Sequence, residues 1–115
     1  MAKILIVEDE ALVEKMLREM IGCICTEAEV ACAGHGEQAW NILKASGGQF
    51  DLVISDVAMP VMDGVTLTKR VREEYPGVRV ILMSGRGAPE EHQAHVFLNK
   101  PFTVPQLLAA MQKPA

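Results

Sequence analysis

The chain has 115 residues, half of them apolar, with a formal net charge of −4 and an isoelectric point near 5.3. That length holds one domain around one core, and the scattered basic residues exclude the clustered basic excess of a nucleic-acid footprint. The opening Met1-Ala2-Lys3 runs straight into a strand rather than a signal peptide, and no apolar stretch approaches the ~18 residues of a membrane helix, so a cytoplasmic location with no membrane partner is expected.

The first apolar run, Lys3 to Val7, is a strand that ends in Glu8-Asp9. Glu8, Asp9 and Glu10 lead into a helix whose Val13, Met16, Leu17, Met20 and Ile21 recur three and four apart, which predicts one buried face and an end near Gly22. Cys23, Cys25 and Cys32 are an odd number of thiols for an unsecreted chain and read as buried or idle; zinc at Cys23-Cys25 would need two more ligands. From about Glu27 to Ala33 acids alternate with Ala28, Val30 and Cys32, the pattern of an edge strand. Gly34-His35-Gly36 opens a second helix with Ala39, Trp40 and Leu43 inward and Gly47-Gly48 closing it. Leu52, Val53 and Ile54 form a strand buried on both faces that delivers Asp56 to its C-terminal end, before Pro60 and Gly64 force a loop. A helix with Val65, Leu67 and Val71 stops at Pro76-Gly77, and the apolar run Val78 to Met83 is a second central strand, ending in Ser84-Gly85. Pro89 with Glu90 and Glu91 starts a helix with room for little more than two turns. Val96 to Leu98 is a short last strand ending in Asn99-Lys100-Pro101, and Thr103 caps a final helix with Leu107, Leu108 and Met111 inward.

Strand and helix thus alternate five times, without linker, repeat or low-complexity tract. That is the α/β pattern, whose right-handed crossovers put helices on both faces of a parallel sheet. In the flavodoxin-like strand order 2-1-3-4-5, the first and third strands meet at the switch point, where such sheets keep their sites. Glu8, Asp9 and Asp56 then converge in one crevice. Clustered carboxylates repel, and a hard divalent cation relieves them; magnesium suits best, because it accepts one or two carboxylates and leaves positions for water and phosphate oxygens. Lys100 and Ser84 arrive from the other side, so an ammonium and a hydroxyl face a carboxylate able to act as a nucleophile and form an acyl phosphate.

The set Val7-Glu8-Asp9, Asp56 with Met59-Pro60-x-Met62-Asp63-Gly64, Met83-Ser84-Gly85 and Lys100-Pro101-Phe102 resembles the receiver domain of bacterial two-component response regulators over nearly the whole chain, residues 1–115. The resemblance implies that Asp56 is the phospho-acceptor and that Asp9, Asp56 and the Ala58 backbone carbonyl bind Mg2+, with Glu8 reaching it through water. It implies further that Lys100 and Ser84 stabilise the phosphoryl group and that Ser84 and Phe97 are the switch residues. The domain would be a switch that assists its own phosphorylation and dephosphorylation rather than an enzyme. Its donor would be a phosphohistidine on a histidine kinase or histidine phosphotransfer protein, and its reader an output domain or effector protein.

The spacing from Ser84 to Lys100 is shorter than receivers usually show, and the shortfall falls on the fourth helix, which with the fifth strand and the last helix commonly builds the family's output face. No output domain follows Lys113, so a stand-alone receiver and part of a larger regulator or hybrid kinase both remain open. Two other chemistries fit less of the chain. Gly34-His35-Gly36-Glu37-Gln38-Ala39 matches a dinucleotide fingerprint, but after an edge strand rather than a buried one. A haloacid-dehalogenase-like phosphohydrolase would want a second acid where Ala58 stands, and a general acid for turnover. A degenerate receiver acting only as an interaction module is the third alternative, disfavoured by the intact acid, hydroxyl and lysine set.

Overall fold

The computed structural model describes residues 2–112; Met1 and residues 113–115 of the expected domain lie outside the described residues. The elements run β1 (Lys3–Val7), α1 (Ala11–Ile24), β2 (Glu29–Ala33), α2 (Gly36–Ala45), β3 (Leu52–Asp56), α3 (Gly64–Glu74), β4 (Arg79–Ser84), β5 (Val96–Asn99) and α4 (Val104–Met111). All strands pair in parallel, in the expected order β2-β1-β3-β4-β5.

Period-two alternation divides the central strands between two cores. Ile4, Ile6, Leu52, Ile54, Ile81 and Met83 pack against Leu17, Met20 and Ile21 of α1 and Leu107 and Ala110 of α4. Leu5, Val7, Val53 and Val80 pack on the opposite face against Ala39 and Leu43 of α2 and Leu67 and Val71 of α3. With helices on both faces, every residue of β3 and β4 is buried. This explains why their sequences are almost unbroken apolar runs while β2, on the edge, alternates.

Several elements depart from expectation in detail. Helix α1 runs past Gly22 to Ile24, and β2 starts at Glu29 rather than Glu27. Met16 and Leu108 point outward, 42% and 40% exposed. In both helices, one small stripe of the surface already fills the space above the sheet. Trp40 is half-buried, with its ring 5.7 Å from that of Tyr75 at the rim of a core. The three cysteines are free thiols, and burial pushes that of Cys32 up to about 11.

The largest correction concerns residues 85–95. The short helix expected from Pro89 is absent, and the segment passes from β4 to β5 as bends and extended chain. A parallel crossover that carries a helix takes about a dozen residues or more, because the chain must step out to the helical layer and back. This connection, residues 85–95, sits at that lower limit, and Gly85, Gly87 and Pro89 disfavour helix within it. Its far end is tied to β4: His95 N–H donates to the Val80 carbonyl at 2.9 Å, and the Val80 N–H donates to His95 Nδ1 at 3.0 Å.

Candidate functional site

The strand register assembles the site. Val7 pairs with Ser55, Asp56 with Met83, and Ser84 with Asn99. Glu8-Asp9, Asp56, Ser84 and Lys100 therefore leave the sheet at nearly one level. The loop after Asp56 closes back on the strand end: Val57 N–H donates to the Met83 carbonyl at 3.0 Å and Gly64 N–H to the Val57 carbonyl at 2.9 Å. Gly64 is required by close approach, since a Cβ there would overlap the Asp56 carbonyl and Leu82. Asp63 caps α3 by accepting from Thr66 N–H at 2.8 Å. At the loop tip Met62 N–H donates to the Pro60 carbonyl at 2.8 Å, which places Val61, 74% exposed, at a φ of 71°. This γ-turn is of the rarer hand, and it is costly for a β-branched residue.

Lys100 is the hub. Its Nζ lies 2.9 Å from Glu8 Oε1 and 2.9 Å from Asp56 Oδ2. Both carboxylates are buried, that of Glu8 completely. Burial alone would draw the ammonium down, but hydrogen bonds and charge from Glu8 and Asp56 outweigh it and hold Lys100 above its ordinary value. Glu8 also shifts upward, although its pairing with Lys100 pulls the other way: burial dominates, and the Asp56 charge adds to it. Glu8 and Lys100 stand as an ion pair at 2.9 Å.

Around this pair lies a crevice of about 460 Å³, lined by Asp9, Glu10, Asp56, Ala58, Ser84, Gly85, Arg86 and Lys100. A larger depression of about 510 Å³, between α3 and residues 89–93, contains none of the strand-end residues. Carboxylate oxygens of Glu8, Asp9 and Glu10 lie within 4.8 Å of one another, a hard-oxygen set of the kind a divalent cation accepts. Buried Ser84 accepts at Oγ from the Arg86 N–H at 3.0 Å, which leaves its own proton free to donate.

The structure therefore brings together Glu8, Asp9, Asp56, Ala58, Ser84 and Lys100. Phe97 stands apart: it pairs with Leu82 in the β4–β5 ladder, below Ser84, and its half-buried ring lies 6.2 Å from that of His92. Sequence reasoning missed two crevice residues. Glu10 was readable only as a helix lead-in, although it continues an acidic run, and Arg86 carries no signal beyond its place between two glycines. The glycine fingerprint is spent on a helix cap. His35 accepts from the Gln38 N–H at 3.2 Å, and Gln38 Oε1 accepts from the Gly34 N–H at 2.8 Å, so those two donors are not presented to a phosphate.

Among the described residues no helix is long and apolar enough to cross a membrane. Comparison with known proteins agrees with the fold. The sensor kinase CckA of Brucella abortus (strain 2308) is 34% identical over 97% of this chain, which spans 12% of that protein. The probable C4-dicarboxylate response regulator DctR of Bacillus subtilis (strain 168) is 30% identical over 96% of the chain, which spans 51% of it; the chain thus covers about half or less of these curated relatives. The solved structure of the chemotaxis protein CheY4 of Vibrio cholerae superposes with a TM-score of 0.82 at 30% identity, covering 96% of each chain. The family model of the response regulator receiver domain matches residues 4–112, and the chain belongs to that family.

Proposed function

We propose that this receiver domain accepts a phosphoryl group on Asp56 and thereby switches between two conformations. The observation that carries this reading is the Asp56 carboxylate at a buried strand end, 2.9 Å from the Lys100 ammonium, in one crevice with Asp9 and Ser84. The donor is a phosphohistidine of a histidine kinase or histidine phosphotransfer protein. An Asp56 oxygen bonds to phosphorus as the P–N bond breaks, and the electron pair stays on the imidazole nitrogen. Lys100 exchanges part of its pairing with Glu8 and Asp56 for the phosphoryl oxygens, and the Ser84 proton is donated to one of them. The acid set fits Mg2+: Asp9, Asp56 and the Ala58 carbonyl would hold it, with Glu8 acting through water, and when bound the ion neutralises the crowded negative charge.

The movement of Ser84 toward the phosphoryl group changes the packing above Leu82, and Phe97 turns inward in response. The domain acts as a cytoplasmic switch rather than an enzyme, read by an output domain or effector protein, with no direct nucleic-acid or membrane contact. The test is incubation with acetyl phosphate and Mg2+ followed by peptide mapping. A phosphoryl mass increment on the peptide carrying Asp56, absent from Asp56→Asn, is expected; an increment retained at comparable yield in that variant would move the acceptor to Asp9 or Asp63.

A further inference from the structure

Arg86 lines the same crevice as Asp9, Asp56, Ser84 and Lys100, and the reading above gives it no task. Its backbone N–H is bonded to Ser84 Oγ at 3.0 Å, so it is held in register with the hydroxyl expected to meet a phosphoryl group. The two cations of the crevice differ in how far their charge is committed. Lys100 is shared between Glu8 and Asp56. Among the described residues the Arg86 guanidinium makes no ion pair, although Asp9 and Glu10 line the same space. The chain beside it leaves room for the side chain: a Cβ at Gly85 or at Gly87 would meet nothing within 4 Å, and Arg86 itself is exposed.

The charge balance gives this cation a use. Converting Asp56 to an acyl phosphate replaces one negative charge by roughly two at neutral pH, beside Glu8, Asp9 and Glu10. Ser84 offers a hydrogen bond there but no charge. A guanidinium offers a planar fork of donors that matches phosphate oxygens. Because Ser84 accepts from the Arg86 N–H, its own proton stays available, and both residues can engage one phosphoryl group.

We propose that Arg86 is a second cationic ligand of the phosphoryl group, closing over it from the β4 side while Lys100 approaches from the β5 side. It draws in an anionic donor and shields the acyl phosphate from water. The inference rests on Asp56 being the acceptor. Arg86 makes and breaks no bond. With acetyl phosphate an Asp56 oxygen bonds to phosphorus, the bridging P–O bond breaks, and acetate leaves with the electron pair.

The experiment compares the parent with Arg86→Lys, Arg86→Gln and Arg86→Glu, using sub-saturating acetyl phosphate and Mg2+, with phosphorylation followed by intact mass. The donor is then removed and decay is followed; beryllofluoride affinity is measured in parallel. An exposed charge-assisted contact predicts roughly three- to tenfold slower phosphorylation for Gln, a larger loss for Glu and a smaller one for Lys. Decay should be faster and beryllofluoride binding weaker in the same order, and the differences should shrink at high salt. Thermal midpoints should not change. If the Gln and Glu variants match the parent in rate, decay and affinity, the inference is overturned and the Asp56 reading stands. If the parent itself takes no phosphate at Asp56, that reading falls, and the inference falls with it.

Discussion

Two crossovers leave the crevice side by side: residues 57–78 carry β3 to β4 through α3, and residues 85–95 carry β4 to β5 with no helix. The first inserts Leu67 and Val71 into a core shared with Leu5, Val53 and Val80. The second contributes the His92 ring against Phe97 and Ala94 at the edge of that core. Yet the crevice residues sit at the strand ends beside both crossovers, with Asp56 before the first, Ser84 before the second and Lys100 just past the end of β5. The difference teaches that the site is built from strand ends fixed by register, and that a helical layer can be lost from one crossover without dispersing the chemistry.

The sharpest break of that comparison is Asp56→Asn, which should abolish phosphorylation without unfolding the sheet, since an amide of the same shape replaces the carboxylate; mass spectrometry after acetyl phosphate treatment reads it. Next come the crossovers themselves. Leu67→Ala removes a side chain that is 1% exposed and should cost about 2–4 kcal/mol in denaturant unfolding, whereas Gln93→Ala, on the exposed second crossover, should change stability by less than about 0.5 kcal/mol. Equal costs would contradict the division between a packed and an unpacked crossover.

Lys100→Ala follows. A lysine at a crevice mouth is expected from sequence to contribute little packing, but here it neutralises two buried carboxylates. Its loss should cost the metal-free protein about 1–2 kcal/mol, and Mg2+ should restore part of that. Because the carboxylates hold Lys100 above its ordinary 10.5, its contribution is fully present below that value and is lost as pH rises through the raised one. Chemical unfolding at pH 7 and pH 11 with and without Mg2+ checks both statements.

Asp9→Asn should weaken Mg2+ binding strongly and Glu8→Gln less, as Trp40 fluorescence or calorimetry would read; equal losses would contradict the direct and water-mediated assignments. The smallest effect is expected at the tip of the first crossover. Val61→Gly relieves a left-handed φ of 71° and should raise stability by about 0.5–1 kcal/mol, with no change in phosphorylation yield.

The site was legible in sequence because chemistry-bearing residues closed apolar runs, as Asp56 comes one residue after Leu52-Val53-Ile54 and Ser84 follows Ile81-Leu82-Met83 directly. Runs of that kind have one stable place, the middle of a parallel sheet, so their ends had to converge. Helix existence was legible wherever apolar residues recurred three and four apart. The outward turn of Met16 and Leu108 was not, since periodicity marks a stripe but not its width. Residues 89–94 had the composition of a helix start but too little chain around them, a geometric limit that local propensity does not register. The Lys100–Glu8 pairing was hidden as well, because it joins residues far apart in sequence that meet only through register.

A crevice complete at the strand ends should still drive the helix-free crossover. The direct measurement is amide and side-chain NMR with Mg2+, with and without beryllofluoride. Ser84 and Arg86 should shift together with Phe97 and residues 90–97, and the segment after Thr103 should also respond. If Ser84 shifts while Phe97 and the residues after Thr103 stay unchanged, the site holds phosphate without signalling through this face, and the claim is contradicted.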